Sequence, residues 1–229
     1  KSFKTAQVLP LLKKPHLDTS DPGNFRPISN LSTISKIIER AALKQLQPHI
    51  TSNPNYSPFQ SAYRCTFSTE TALLHIFDHV FHSCGSKEAT MIAGLDLSAA
   101  FDTIDHPILL QRLKDDFGID GLALSWLASY LTGRSQFVKL GDHSSPTVQL
   151  THGVPQGSVL GPLLFTSYIS PIADLLSSHN VAYHQYADDT QLFIPISPKD
   201  PTDLSSRINR LISCIQAVET WFLHNNLQF

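Results

Sequence analysis

The chain has 229 residues, 41% of them hydrophobic and 16% charged, with a formal net charge of −2. That length buries a sizeable core and that composition excludes wholesale disorder. Three widely spaced cysteines, Cys65, Cys84 and Cys214, fit a reducing intracellular compartment and exclude a disulfide framework or a CxxC zinc site.

In chain order, the N-terminal KSFKTAQVLPLLKK lacks the apolar stretch of a signal peptide, and no later run is long enough to span a membrane, so no membrane association is expected. Residues 15–33, polar and turn-rich and ending in FRPISN, read as extended chain. A helix is predicted over about 34–47, with Ile34, Ile37, Ile38, Ala41 and Leu46 on its buried face and Pro48 closing it. Residues 48–67 read as loop, and a helix from Ser68 to about His82 follows, with Glu70 in its first turn. TMIAGLDL, residues 90–97, has the pattern of a central strand ending in an acid. Pro107 and Gly118 bracket a further helix, and another runs from about 121 to Gly133.

RSQFVKLG, a turn at DHSS and PTVQLTH predict a hairpin. A helix over about 158–176 is expected to be interrupted at Pro162 and Pro171, with Ser158 able to cap it. YHQYADDTQLFIPI predicts two strands joined at the acid pair. The last helix, about 202–224, repeats Leu204, Ile208, Leu211, Ile215, Val218 and Phe222 as a buried stripe. Helices and strands mix without strict alternation, which favours an α+β class. There is no repeat or long linker, so one domain over 1–229 is expected.

Charge is unevenly distributed. Residues 1–64 hold nine Lys/Arg and three acids, net +6, and the remainder is net −8. A basic front suits phosphates and an acidic remainder suits cations. The acidic part contains the most informative feature, a lone Asp96 ending an apolar strand and the Asp188-Asp189 pair between two apolar runs. Unpaired carboxylates buried there would be costly and would repel one another. Magnesium, which prefers oxygen ligands and commonly takes one or two carboxylates with substrate phosphates, removes both difficulties. Taken alone, an acid pair is more often a turn or a salt-bridge partner.

Six segments, in order, change that weighting: NFRPISNLS, QSAYRCTFSTETALL, LDLSAAFDTIDH, SYLTGRSQFVKLG, GVPQGSVLGPLLF and YADDTQLF. Over nearly the whole chain this resembles the reverse transcriptases of LINE-type (non-LTR) retrotransposons. The resemblance implies a right-hand polymerase fold, with about 1–89 rich in fingers, about 90–229 mainly palm, and the thumb absent or truncated after HNNLQF. Against a complete enzyme of that family, this chain is expected to lack an endonuclease domain ahead of it, as it lacks the thumb.

By the same resemblance, Asp96, Asp188 and Asp189 are catalytic acids holding two Mg2+ ions (Mn2+ as a substitute), with the Leu97 carbonyl as a further metal contact. Phe101 is placed as the bulky residue that collides with a 2′-hydroxyl, although a core position is the commoner fate of phenylalanine. Asp102 is expected only to cap or brace its turn. In GVPQGS, Gln156 is expected at the new base pair or the template sugar, with the glycines, Gly157 among them, permitting close backbone approach to the nucleotide. Arg26 and, more loosely, Lys14 are placed to hold the triphosphate, arginine through planar bidentate donors. Arg64 is expected on template backbone.

The implied partners are an RNA template, a DNA primer and dNTPs, in the nucleus for target-site copying or in a cytoplasmic ribonucleoprotein. Two rivals remain at this point: a non-catalytic remnant that folds and binds RNA or protein, and an RNA-copying RNA polymerase, which YADD and Phe101 disfavour. His75, His79, His82 and Cys84 lack an HExxH pattern, and the histidines are expected to be surface or partly buried, while Tyr186 and Phe193 are expected to pack.

Overall fold

A computed structural model describes residues 3–86 and 88–228. In chain order the elements begin with β1 (Thr5–Leu12), a 3-10 turn (Pro22–Asn24), β2 (Phe25–Asn30) and α1 (Thr33–Thr51). Next come α2 (Thr69–Gly85), β3 (Ala89–Leu95), α3 (His106–Asp115) and α4 (Gly121–Leu131). Strands β4 (Arg134–Leu140), β5 (His143–Ser144) and β6 (Val148–Leu150) precede α5 (Gly161–Ile169) and α6 (Ile172–Ser178). The described chain ends with β7 (Ala182–Tyr186), β8 (Asp189–Ile196) and α7 (Pro201–His224). Two compact units divide it, each made of two stretches: Lys1–Ile50 with Phe101–Phe165, and Thr51–Ala100 with Thr166–Phe229.

The first unit is built on a sheet in the order β2-β1-β4, with β5 and β6 both pairing β4. β1 runs antiparallel to β2, Gln7 opposite Asn30 through Leu12 opposite Phe25, and parallel to β4 from Thr5–Ser135 to Val8–Val138. Pro10 and Pro27 oppose each other, so neither strand has an N–H to offer at that rung. The predicted hairpin is present as β4 with β5 and β6. Asp105 caps α3 through the Ile108 N–H, Pro107 sits in the first turn, and Gly118 beyond the helix takes φ +66°.

Three expectations about helices fail. The face of α1 expected to be buried is open, with Ile34, Ile37 and Ile38 exposed by 52%, 61% and 45%. Ser35 and Glu39 are buried instead, because a polar network holds this helix from its other side. Pro48 does not end α1 but lies in its last turn. Pro162 does not interrupt a helix either. It occupies the first turn of α5, where no intrahelical N–H is needed, and the break falls at Pro171.

The second unit contains the antiparallel sheet β3-β8-β7. β3 and β8 pair over seven rungs, from Ala89–Ile196 to Leu95–Thr190. α2 begins where predicted, with Ser68 and Thr71 in a reciprocal capping box, and packs on β3 and β7. α7 buries Leu211, Cys214, Val218 and Phe222 and packs against β8 and α6. Residues 59–61 run beside the outer edge of β7: Gln185 N–H donates to Phe59 O and Ser61 N–H to Gln185 O, both at 3.0 Å.

Candidate active site

The last rung of the β7–β8 hairpin pairs Tyr186 with Asp189, so Ala187 and Asp188 alone form the turn. Ala187 takes φ +55°, a left-handed conformation that costs an L-residue about 1–2 kcal/mol. Two hydrogen bonds from one buried side chain offset it. Gln60 donates Nε2–H to Ala187 O at 3.1 Å, and its Oε1 accepts the Ala187 N–H at 2.9 Å. Each bond contributes about 0.5–1.5 kcal/mol.

Asp96 follows Leu95, which pairs with Thr190 in the last rung of β3 and β8, and Asp189 precedes Thr190, so both acids leave the sheet at the same end. The acids emerge at the end of the sheet rather than inside it: Asp96 and Asp189 are exposed and Asp188 is half-buried. The Asp189 carboxyl is nevertheless pushed above the ordinary range, by partial burial first and then by the charges of Asp188 and Asp96. Three acceptor-only groups in one mutual field suit a hard divalent cation in donor type and sign. Among the described residues no three His, Cys, Asp or Glu side chains are already gathered as a metal cage. Magnesium does not require one, because it keeps several waters and binds through one or two carboxylates plus phosphates. Leu97 is buried, and Ser98 N–H donates to Gln228 O at 2.9 Å, tying down the segment after Asp96.

In the first unit the GVPQGS loop is held on several sides. Val154 N–H donates to Phe101 O at 2.8 Å, Gly153 N–H to Ile104 O at 2.7 Å, and His106 Nε2–H to Gly153 O at 2.7 Å. The Ser29 N–H of β2 donates to Gln156 O at 2.8 Å. Gly157 has φ +109°, and a Cβ there would lie 2.8 Å from Ser29 O, so only glycine lets the loop meet the strand. The Gln156 side chain donates to Asp102 Oδ2 at 2.8 Å. Desolvation raises the Asp102 carboxyl and this hydrogen bond opposes the rise, so Asp102 braces the distant GVPQGS loop, where the sequence suggested only the turn that follows it. Phe101 is half-buried and stacks on Phe165, ring centroids 4.9 Å apart.

Arg26 and Lys14 are exposed, Arg26 on β2 and Lys14 just beyond β1, where the Lys13 N–H meets Asn24 O. Arg64 turns back on its own loop. One Nη donates to Pro58 O at 3.1 Å and to Gln60 O at 3.2 Å, and the guanidinium lies 4.3 Å from the Phe67 ring centroid. His75 and His79 are partly buried, as expected, and stack on Phe59 and Phe193 respectively.

The sequence profile described as Reverse transcriptase (RNA-dependent DNA polymerase) matches residues 12–229. The chain belongs to the reverse transcriptase family. It is 32% identical over 202 residues to a probable RNA-directed DNA polymerase from transposon BS of Drosophila melanogaster, covering 84% of this chain and 21% of that protein. It is 30% identical to the RNA-directed DNA polymerase from mobile element jockey of the same organism, covering 83% and 21%. A 27% identical relative is the Pol polyprotein of the type-1 retrotransposable element R1 of Bradysia coprophila, covering 96% and 21%. This reverse transcriptase is thus of the LINE type, and it spans about a fifth of the length of these relatives. The structure of apo telomerase from Candida tropicalis superposes with TM-score 0.65 at 12% identity, covering 99% of this chain and 43% of that one. Telomerase from Candida albicans, in complex with a TWJ fragment of telomeric RNA, gives 0.57 at 12%, covering 93% and 40%. The fold is the polymerase fold of fingers and palm. Members of this family generally depend on a divalent metal.

Two residues of this reverse transcriptase escaped the sequence reading. Glu39, 1% exposed, accepts from Ser35 Oγ, Ser158 Oγ and the N–H of Val159 and Leu160. Ser158 Oγ also accepts the Gly161 N–H at 3.0 Å, so the cap foreseen at Ser158 is shared with a distant acid. Tyr130 adds its hydroxyl to Ser158 Oγ at 2.6 Å. Burial above all, reinforced by Glu39 and opposed by Arg134, pushes that phenol up to about 12. A glutamate in a helix carries no signal of burial, and Gln60 carries none of its reach to Ala187. Only the neighbouring motif QSAYR marked the second position.

Proposed function

We propose that this chain is the catalytic portion of a non-LTR retrotransposon reverse transcriptase, adding deoxynucleotides to a primer 3′-hydroxyl as directed by an RNA template. The observation that carries the reading is the register that brings Asp96 and Asp189 out at the same end of the β3–β8 pair, beside the tight turn bearing Asp188. Asp96 and Asp188, with Asp189 and the Leu97 carbonyl, would hold two magnesium ions, or manganese in their place, which when bound supply acidification of the primer hydroxyl and neutralisation of triphosphate charge.

The rest falls to the protein's own groups. Arg26, exposed and with its fork of donors uncommitted among the described contacts, grips the β- and γ-phosphates, with Lys14 adding positive charge. Gln156 has a second amide hydrogen and its carbonyl left for the nascent base pair, and Gly157 keeps the backbone low enough for approach. Phe101, stiffened by Phe165, excludes a 2′-hydroxyl. Arg64 retains Nε and its second Nη for template phosphate. Positioning and electrostatics suffice, because phosphoryl transfer asks little covalent help of the protein.

The test is magnesium-dependent primer extension on an RNA template by the wild type and by Asp188→Ala. Extension by the wild type and none by the variant is expected; near-normal copying by the variant would refute the assignment.

A further inference from the structure

Of the segment 60–64, QSAYR, Arg64 is expected on template backbone, yet the Gln60 side chain reaches the acid turn. Residues 59–61 flank the outer edge of β7, with Gln60 bridged in parallel fashion to Gln185. Where the main chain of this segment stops pairing, the Gln60 side chain continues. Its carboxamide, 1% exposed, donates to the Ala187 carbonyl and accepts the Ala187 N–H, and the same Oε1 accepts the Ala62 N–H at 3.0 Å. A carboxamide alone offers a donor and an acceptor side by side at the end of an uncharged chain. Glutamate keeps only the acceptor, and methionine keeps the volume with neither.

The loop that presents Gln60 is itself braced. Arg64 donates to the carbonyls of Pro58 and Gln60, and its guanidinium covers Phe67. Ser57 Oγ donates to Gln185 Oε1 at 2.8 Å, fixing the loop's other end to β7. Tyr63 stands near enough to Asp188 for that charge to raise its hydroxyl, after burial as the larger cause.

Ala187 is the residue on which the direction of Asp188 depends. At φ +55° an alanine has no intrinsic reason to stay, and its return to negative φ would swing the next peptide and the Asp188 side chain with it. We propose that the 60–64 segment is a bracket that fixes the acid turn, with Gln60 as a positioning residue that holds Ala187 left-handed and so aims Asp188 and Asp189. The sequence of action runs from Arg64 through Gln60 and Ala187 to Asp188. This rests on the reading of Asp188 and Asp189 as cation-binding acids only for its catalytic consequence; the bracket itself is a claim about the turn.

The decisive experiment is residue-resolved amide hydrogen exchange on the 229-residue chain, for the wild type, Gln60→Met and Gln60→Glu. In Gln60→Met the Ala187 amide exchanges at least about tenfold faster, the size of one lost hydrogen bond, while amides of β3 and β8 keep their wild-type rates. In Gln60→Glu the retained acceptor keeps Ala187 within about twofold of wild type. The bracket is overturned if Ala187 exchanges at the wild-type rate in Gln60→Met, or if both variants speed the whole sheet alike. Primer extension with magnesium chloride titrated at saturating dNTP supplies the functional arm. Gln60→Met raises the half-saturating magnesium concentration at least about threefold with KM for dNTP unchanged, whereas loss of folded protein alone would lower the rate without moving either constant. A wild-type chain that extends no primer defeats the proposed function, and the exchange result still decides the bracket.

Discussion

Glu39 accepts the backbone N–H of Val159 at 2.7 Å, across 120 residues of sequence. The same oxygen takes Ser158 Oγ at 2.8 Å and the Leu160 N–H at 3.3 Å, just ahead of α5, which begins at Gly161. Helix α1 thereby lends a carboxylate to the amides that open α5, where the helix dipole also favours an anion. The loop that carries Gln156 is anchored at its far end by an acid from another helix.

Removing that acid leaves several buried donors without a partner. Glu39→Ala is expected to destabilise the fold by about 2–4 kcal/mol, and Glu39→Gln by less, because one carboxamide oxygen still accepts. Urea unfolding of the three proteins checks this; equal midpoints for Glu39→Ala and wild type would remove Glu39 from the network.

Gly157→Ala places a Cβ 2.8 Å from Ser29 O at φ +109°. The loop must back away from β2, breaking the Ser29–Gln156 hydrogen bond. The expected outcome is a stability loss of about 1–3 kcal/mol together with a raised KM for dNTP. Gly85→Ala is the control, since a Cβ there meets nothing within 4 Å.

Asp189 gains nothing from its negative neighbours in the metal-free protein, as its raised pKa records. Asp189→Asn is therefore expected to melt no lower than wild type without metal. Magnesium should raise the thermal midpoint of the wild type, and that increment should shrink in the variant. Scanning fluorimetry with and without magnesium reads both effects, and a variant that melts lower in the absence of metal would contradict the first.

His184 is 3% exposed, and among the described residues neither of its ring nitrogens has a hydrogen-bond partner. Burial first, then His75 and His79, bring its pKa down to about 4. The unfolded chain, with histidine near about 6.5, binds the proton more readily, so stability is fully present above that value and falls as pH drops from about 6.5 towards 4. His75 is depressed in the same direction and deepens the fall. Thermal midpoints between pH 7 and 4.5 should decline for wild type and decline less for His184→Phe.

Phe101→Val removes most of the ring that stacks on Phe165. Ribonucleotide incorporation relative to deoxynucleotide is expected to rise at least about tenfold, a difference of about 1.4 kcal/mol in discrimination. The cost in stability is about 1–2 kcal/mol. Competition between the two nucleotide types in primer extension measures it; unchanged discrimination would make Phe101 a packing residue only.

Much of the architecture was readable along the chain, wherever a local rule acts within a few residues. Alternation and the acid pair marked β7 and β8, the apolar run ending at Asp96 marked β3, and Ser68, Pro107 and Gly118 marked helix ends through capping chemistry. The stripe on α7 was legible because steps of three and four residues repeat from Leu204 to Phe222, about five turns. β1 gave no such sign: it carries Pro10, and one of its two partners is β4, some 130 residues later. The apolar row of α1 followed the same periodicity as α7 and yet lies open, because periodicity names a face without naming what covers it.

The sequence by itself determined the family, through six ordered motifs, and the three carboxylates, through their improbable places at strand ends. Tertiary structure alone decided which polar residues brace the acid turn of one unit and the GVPQGS loop of the other. Glu39, Gln60 and Arg64 act through hydrogen bonds to backbone amides and carbonyls, groups that every residue carries, so nothing in the partner's side chain announces the contact. Where the partner is a backbone atom, only folding can say which one it is.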